Sequence, residues 1–319
     1  AAKLKIGFIG AGELATFAHF PSLVEMDDVE LTAVCDLDEN RCHQAAQSFG
    51  FKTVYRDYGE MLDREKPDAV FTALMPQHVF PVAADVLRRG VPLFLEKPPG
   101  MTSYQTGCLA AIAAEKGVMS FVGFNRRYAP TLLEARSRIE RHGPVDHFVV
   151  TFSKYGGRGK RPYYDGIMDI LMFDAIHAVD LVRWLGGEPE AVSAVTRVSH
   201  ADQDAKYVAL LRFAGGKTGF LNCVWTSGAR TLAAELHGGG ACAFVDIEKD
   251  VRLHFEGGPA ETLAAAKLAG GDAAHRVRGY FNEDRAFIEC VKSGKRPAND
   301  LADALRTMQL AERLYYESL

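Results

Sequence analysis

The stretch Gly7-Phe8-Ile9-Gly10-Ala11-Gly12-Glu13-Leu14-Ala15 constrains this chain more than any other. An apolar run ends at Ile9, two glycines follow one residue apart, and a helical pattern opens directly after them. Gly10 suits a tight turn, Gly12 lets a backbone approach a pyrophosphate, and the small Ala15 permits close packing of helix on strand. The first N–H groups of such a helix lack intrahelical partners and attract phosphates. Glu13 and Leu14, inside the loop, count among the cofactor-contacting candidates. The alternative is a tight strand-to-helix turn in a fold that binds something else.

The surrounding pattern supports the first reading. Short apolar runs at 4–9, 29–35, 69–74, 92–95 and 119–122 lack polar alternation, as strands buried on both faces do. Helical patterns at 13–20, 40–49, 58–64, 81–89 and 103–116 separate them. Alternating β and α with short connections implies a Rossmann-type, doubly wound parallel sheet.

Past residue 124 the rhythm changes. Runs at 147–152, 191–198, 207–213, 218–224, 232–237, 243–247 and 251–255 alternate polar and apolar, with Gly-Gly pairs at 215–216 and 238–239 as hairpin turns. A helix over 172–185 stops at Gly186-Gly187. Segment 257–274 reads as a glycine- and alanine-rich mobile loop with one short helix, and helices at 283–293 and 301–319 close the chain. The expected fold class is α/β. A dinucleotide-binding domain spans 1–123, and an α+β domain with an open, mostly antiparallel sheet spans 124–319. The last helices are expected to pack back towards the first domain. A length of 319 residues suits two domains.

Composition narrows the function. Hydrophobic residues make up 48% and charged residues 24%, and the net charge of −4 gives no reason to expect nucleic acid or an anionic membrane as partner. No apolar run approaches the ~18–20 residues that span a bilayer. The first residues lead directly into a strand, leaving no room for a signal peptide. Six scattered cysteines form no C-x-x-C pair, so neither a metal site nor a disulfide framework is expected, and a cytoplasmic location is.

Two further groups carry chemistry. Asp36 ends the second strand about 20 residues past the glycines, where a carboxylate accepts ribose hydroxyls. It repels a 2′-phosphate, favouring NAD over NADP, and nearby Arg41 weakens that preference. Asp36 is alternatively the cap of the next helix. Glu96-Lys97-Pro98 follows the run at 92–95, at the sheet edge where such folds bind ligands. A lysine there can polarise a hydroxyl, and a surface ion pair is the plainer alternative. Leu74, ending the run at 69–74, and His78 just beyond it join the cofactor-contacting candidates.

With these motifs in view, the whole chain resembles the glucose–fructose oxidoreductase/inositol dehydrogenase/rhizopine catabolism (Gfo/Idh/MocA) family. The match rests on the opening glycines, Glu96-Lys97-Pro98, Gly123-Phe124-Asn125-Arg126-Arg127-Tyr128, His177-Ala178-Val179-Asp180 with Trp184-Leu185-Gly186, and the closing Asp303-Ala304-Leu305-Arg306…Ala311-Glu312. The resemblance implies a lysine, here Lys97, that helps hold nicotinamide and the reacting hydroxyl, often followed by a cis proline bond. It also implies an acid/base histidine, here His177. Most members carry an aspartate four residues before that histidine. This chain has Phe173 there and Asp174 one residue later, and Phe80 stands where a histidine is common. The arrangement is similar to the virulence-factor-like (MviM-like) branch.

Taken with the residues, the resemblance implies an NAD-dependent oxidoreductase acting on a carbinol carbon of a sugar, polyol or sugar derivative. Lys97 stabilises the alkoxide, His177 takes the proton, Asp174 orients His177, and Glu96 holds Lys97 or a cofactor ribose. The polar stripe Asp174–His177–Asp180 is alternatively a solvated helix face. Asn125 and Arg126 contact nicotinamide or substrate, or brace the domain junction. The basic run from Lys154 to Tyr164, with Arg158 and Arg161, suits a loop over an anionic or polyhydroxylated substrate, an anionic sugar being favoured in that case, or a solvated loop. The other functional readings are a redox-neutral NAD-dependent glycosidase and a non-catalytic sugar- or cofactor-sensing regulator. A homodimer or homotetramer is expected, because an open sheet would otherwise expose an apolar face.

Overall fold

The computed structural model describes residues 2–156, 163–199 and 204–317. Two units emerge, Ala1–Phe124 with Tyr280–Leu305, and Asn125–Gly279 with Arg306–Leu319.

In the first unit, β1 (Leu4–Ile9), β2 (Val29–Cys35), β3 (Thr53–Tyr55), β4 (Ala69–Thr72), β5 (Leu93–Glu96) and β6 (Ser120–Gly123) form one sheet. Its order is β3-β2-β1-β4-β5-β6, and every neighbouring pair is parallel. Strand order reverses between β1 and β4, where a doubly wound sheet leaves a crevice at its carboxyl edge. Phe8, Phe71, Phe94 and Phe121 pair in register across β1, β4, β5 and β6. Their rings stack at 5.8, 4.7 and 5.2 Å, and Phe287 from the helix Tyr280–Ser293 meets Phe71 edge-on at 5.2 Å. Each such burial is worth roughly 1.5–3 kcal/mol, so the ladder holds the sheet and this helix together.

The helices are α1 (Phe20–Val24), α2 (Glu39–Phe49), α3 (Tyr58–Glu65), α4 (Pro76–Arg88) and α5 (Ser103–Lys116). Asp38, Asp57 and Thr102 cap α2, α3 and α5 by accepting free backbone N–H groups. A π-helical turn, Ala15–His19, precedes α1 and carries the first helix on to Val24, past the expected end at 20. Strand β3 has no counterpart in the sequence reading, being three half-buried residues. Helix α4 starts at Pro76 and not at 81. Pro81 lies inside it, where the ring removes one hydrogen bond without ending the helix.

The second unit holds β7 (His147–Tyr155), β8 (Pro189–Ser199), β9 (Asp204–Phe213), β10 (Thr218–Val224), β11 (Thr226–Gly238), β12 (Ala241–Asp246), β13 (Asp250–Phe255) and β14 (Glu261–Ala264). The order is β14-β13-β12-β11-β7-β10-β9-β8, antiparallel except for the β7–β10 pair. Helix α6 (Pro130–Glu140) packs on β11, β12 and β13, and α7 (Ile176–Gly186) on β7 and β10. Gly215 and Gly216 turn the chain between β9 and β10 with φ of 73° and 80°.

Segment 257–274 contains the expected short helix, α8 (Ala265–Ala269), but differs in forming the edge strand β14, and α9 (Ala274–Val277) follows. The β14 residues are largely exposed and do not alternate, so no periodicity announces the strand. The closing helices are α10 (Tyr280–Ser293) and α11 (Leu301–Tyr316). Among the described residues, no helix is long and apolar enough to cross a membrane.

Candidate functional site

The glycine loop takes its shape from two constraints. Gly10 has φ +100°, and a Cβ there would lie 2.2 Å from the Ala73 carbonyl oxygen, so no side chain fits. Its N–H donates to the Cys35 carbonyl at 2.7 Å, tying the end of β1 to the end of β2. Around Gly12, by contrast, a Cβ would meet nothing within 4 Å. Backbone is thus exposed on the open side of the turn, where a pyrophosphate needs it.

Asp36 holds this loop. Its Oδ2 accepts from Ala11 N at 2.7 Å and its Oδ1 from Asp38 N at 2.9 Å. The cap of α2 is Asp38, which accepts from Asn40 N and Arg41 N. The capping alternative for Asp36 therefore falls. Each carboxylate oxygen has a second lone pair, so Asp36 remains an acceptor for hydroxyls. Arg41 is exposed and turned to Asp38 at 3.5 Å. Leu74 abuts Gly10, whereas Glu13 and His78 are exposed and Leu14 is half-buried. These residues suit NAD: an open glycine turn, a carboxylate at the end of β2 and apolar Leu74 beside the loop.

Glu96 ends β5 and is buried, and the half-buried Lys97 follows it. The Glu96 carboxylate turns inward: Oε1 contacts His19 Nε2 at 2.9 Å, and Oε2 accepts from Lys97 N at 3.0 Å. Gly123 sits opposite in register, and a Cβ there would lie 3.1 Å from Oε1. The Lys97–Pro98 peptide is cis.

In the second unit, a π-helical turn, Leu171–Ala175, leads into α7. Such turns recur at functional sites. The polar stripe is not a solvated face: Asp174, His177 and Asp180 are 7%, 6% and 1% exposed. Asp180 is held by Arg127, whose Nε donates at 2.6 Å, and by the Thr307 hydroxyl at 3.0 Å. Asp174 pairs with the Lys154 ammonium from β7. That ammonium also lies 5.1 Å from the Phe152 ring and 5.9 Å from Trp225. The indole Nε1 of buried Trp225 has no hydrogen-bond acceptor among the described residues.

Asn125 donates to the Arg278 carbonyl at 2.9 Å. Arg126 pairs with Glu248 at 2.8 Å, and Glu248 also takes Arg230 at 2.7 Å and Arg278 at 3.4 Å. Burial works to raise the Glu248 carboxyl, but the Arg230 hydrogen bond and the three guanidinium charges hold it below its usual value. The basic run continues past Lys154 into 157–162, so Arg158 and Arg161 lie outside the described residues. Sequence reasoning did not single out His19, Asp284, Glu248 or Trp225. Their partners stand far away in the chain, and no spacing rule joins them.

Comparisons with known proteins agree with this fold. The family described as "Oxidoreductase family, NAD-binding Rossmann fold" matches residues 4–124, and the "GFO/IDH/MocA C-terminal domain" matches residues 132–242. A D-apiose dehydrogenase from Paraburkholderia graminis is 27% identical, covering 98% of this chain and 87% of its own. The crystal structure of a dehydrogenase from Chromobacterium violaceum superposes with a TM-score of 0.90 at 22% identity, covering 100% of this chain and 96% of the other. A levoglucosan dehydrogenase solved with NADH and L-sorbose superposes at 0.87 with 18% identity, covering 100% and 97%. With both halves matched by its two domain models, the chain belongs to the Gfo/Idh/MocA family and is an oxidoreductase with an NAD-binding Rossmann domain.

Proposed function

We propose that this protein is an NAD-dependent dehydrogenase acting on a secondary hydroxyl of a sugar or polyol. Bound nicotinamide supplies the hydride acceptor or donor. Gly10 and Gly12 take its pyrophosphate, Asp36 its adenosine ribose, and Leu74 lies alongside. The observation that carries the reading is that Lys97 leaves β5 at the same carboxyl edge of the parallel sheet as the glycine loop and Asp36.

Lys97 donates to the substrate oxygen and stabilises it as an alkoxide, and His177 accepts its proton. Asp174 acts with Lys154, so the second unit offers an acceptor and a cation side by side. The Lys154 charge is balanced by this partner, and Trp225 adds a neutral donor. That set favours alternating hydroxyls over a carboxylate or phosphate, and shifts the expected substrate from anionic towards neutral. Asn125 and Arg126 act as braces within their own unit. Val195 and Leu210, both 55% exposed, lie on one face of β8 and β9, which supports pairing of that face with a second copy.

The test is NADH formation from NAD with D-apiose, levoglucosan, myo-inositol and glucuronate as probes. Turnover of a neutral polyol is the expected result. A protein that binds NAD and hydrolyses aryl glycosides without net NADH would replace dehydrogenation by redox-neutral hydrolysis.

A further inference from the structure

His19 ends the π-helical turn Ala15–His19 and is fully buried. Its Nε2 lies 2.9 Å from Glu96 Oε1, and its Nδ1 lies 2.9 and 3.1 Å from the two Asp284 oxygens. A neutral imidazole has one N–H and can donate to only one of these carboxylates. The second contact would then set lone pair against lone pair. An imidazolium satisfies both. Burial disfavours the charged ring, yet the charges and hydrogen bonds of Asp284 and Glu96 outweigh it and raise the His19 pKa well above its usual value.

The surroundings keep the ring in place. Phe8 of β1, Phe71 of β4, Phe94 of β5 and Tyr280 of α10 surround it with ring centroids 5.2–6.1 Å away. The ionisable groups facing it are Glu96 from β5 with Asp284 and Glu283 from α10, the last within 4.8 Å of His19 and Glu96. Glu96 is thereby drawn into the interior, while its other oxygen accepts from the backbone of the residue that follows.

We propose that His19, doubly protonated and held by Asp284, is the positioning residue for Lys97. It draws the Glu96 carboxylate inward, and that same carboxylate fixes the main chain from which the lysine leaves β5. Helix α10 therefore belongs to the working apparatus of the first unit. The proposal rests on the reading of Lys97 as the hydroxyl-polarising group.

The experiment uses the full chain with ¹⁵N-labelled histidine and lysine. At pH 8 both ring nitrogens of His19 carry protons, and the Lys97 amide is protected from exchange. In Asp284→Asn the ring keeps one proton, on Nε2 facing the Glu96 carboxylate, while the introduced amide donates to Nδ1, so the Nε2–Glu96 hydrogen bond loses the positive charge of its donor. Lys97 amide exchange then rises by about tenfold as that hydrogen bond weakens, and kcat falls while KM for NAD holds. Lowering the pH until the ring regains its second proton restores the Lys97 amide protection, because Glu96 again faces an imidazolium. Should Asp284→Asn not fold, Glu96→Ala, which removes the acceptor of the Lys97 N–H outright, serves in its place and raises the exchange at least as far. A neutral His19 in the wild-type protein overturns the proposal. So does a Lys97 amide indifferent to the variant, or one whose protection does not return when the ring is recharged at lower pH. The spectra need no substrate. A protein whose triad behaves as described but binds no NAD would overturn the dehydrogenase reading alone.

Discussion

The glycine loop after β1 and the helix α7 with the π-helical turn before it are built by opposite means. The loop is shaped by backbone: Gly10 bends where a side chain cannot fit, and Gly12 leaves its surface open. The turn and α7 carry side chains held in the interior by counter-charges, Asp174 by Lys154 and Asp180 by Arg127. A backbone site is specified by a few residues close in sequence. A buried-charge site is specified by partners that only the tertiary fold brings together.

Removing one charge from the α7 network has the largest expected effect. Asp180→Asn leaves Arg127 buried without its anion, a loss of about 3–5 kcal/mol, read as a lowered midpoint in urea unfolding. A change below about 1 kcal/mol would mean that α7 draws its stability from apolar packing alone. Gly10→Ala comes next: left-handed strain and the clash with Ala73 together cost about 3 kcal/mol or more. Gly12→Ala, in open space, leaves the melting temperature nearly unchanged and weakens NAD binding. Equal melting losses in both would erase the distinction between a structural and a ligand-facing glycine.

Asp36→Ala tests the carboxylate that holds the loop. NAD affinity by calorimetry falls by roughly 10–100-fold, as expected for charge-assisted hydrogen bonds worth about 1.5–3 kcal/mol, while NADP affinity rises relative to NAD. The smallest effect concerns pH. The Glu248 pKa is lowered on folding, so its contribution to stability is present above the unfolded value of about 4.3 and lost as pH falls through the folded one. The melting difference between wild type and Glu248→Gln therefore narrows from pH 7 towards pH 3. A constant difference would assign the Glu248 cluster to hydrogen bonding without charge.

The same contrast explains what was legible in the sequence. Strands β1, β2 and β10 and helix α5 match their expected bounds, since each has a clean apolar run or a capping pair. Strands β3 and β14 did not register, because three or four half-exposed residues carry no periodicity. Pro81 misled the start of α4 by resembling a first helical residue. Of the candidate site, Gly10, Gly12 and Asp36 were readable because their spacing is itself the constraint on the backbone. Asp174 was read as a partner of His177, and its ion pair with Lys154, reached from another strand, had no signal. His19 and Asp284 are 265 residues apart. Only the docking of α10 against the phenylalanine ladder brings them together.

The most direct test of the central claim is the rate of NADH formation on a polyol turned over by the wild-type enzyme, measured for Lys97→Ala and His177→Ala. The His177→Ala variant is expected to bind NAD with wild-type affinity and Lys97→Ala to bind it more weakly, and each to lose about 100- to 10,000-fold in kcat, the usual contribution of a positioned acid–base group. Near-normal turnover in both variants would contradict the account.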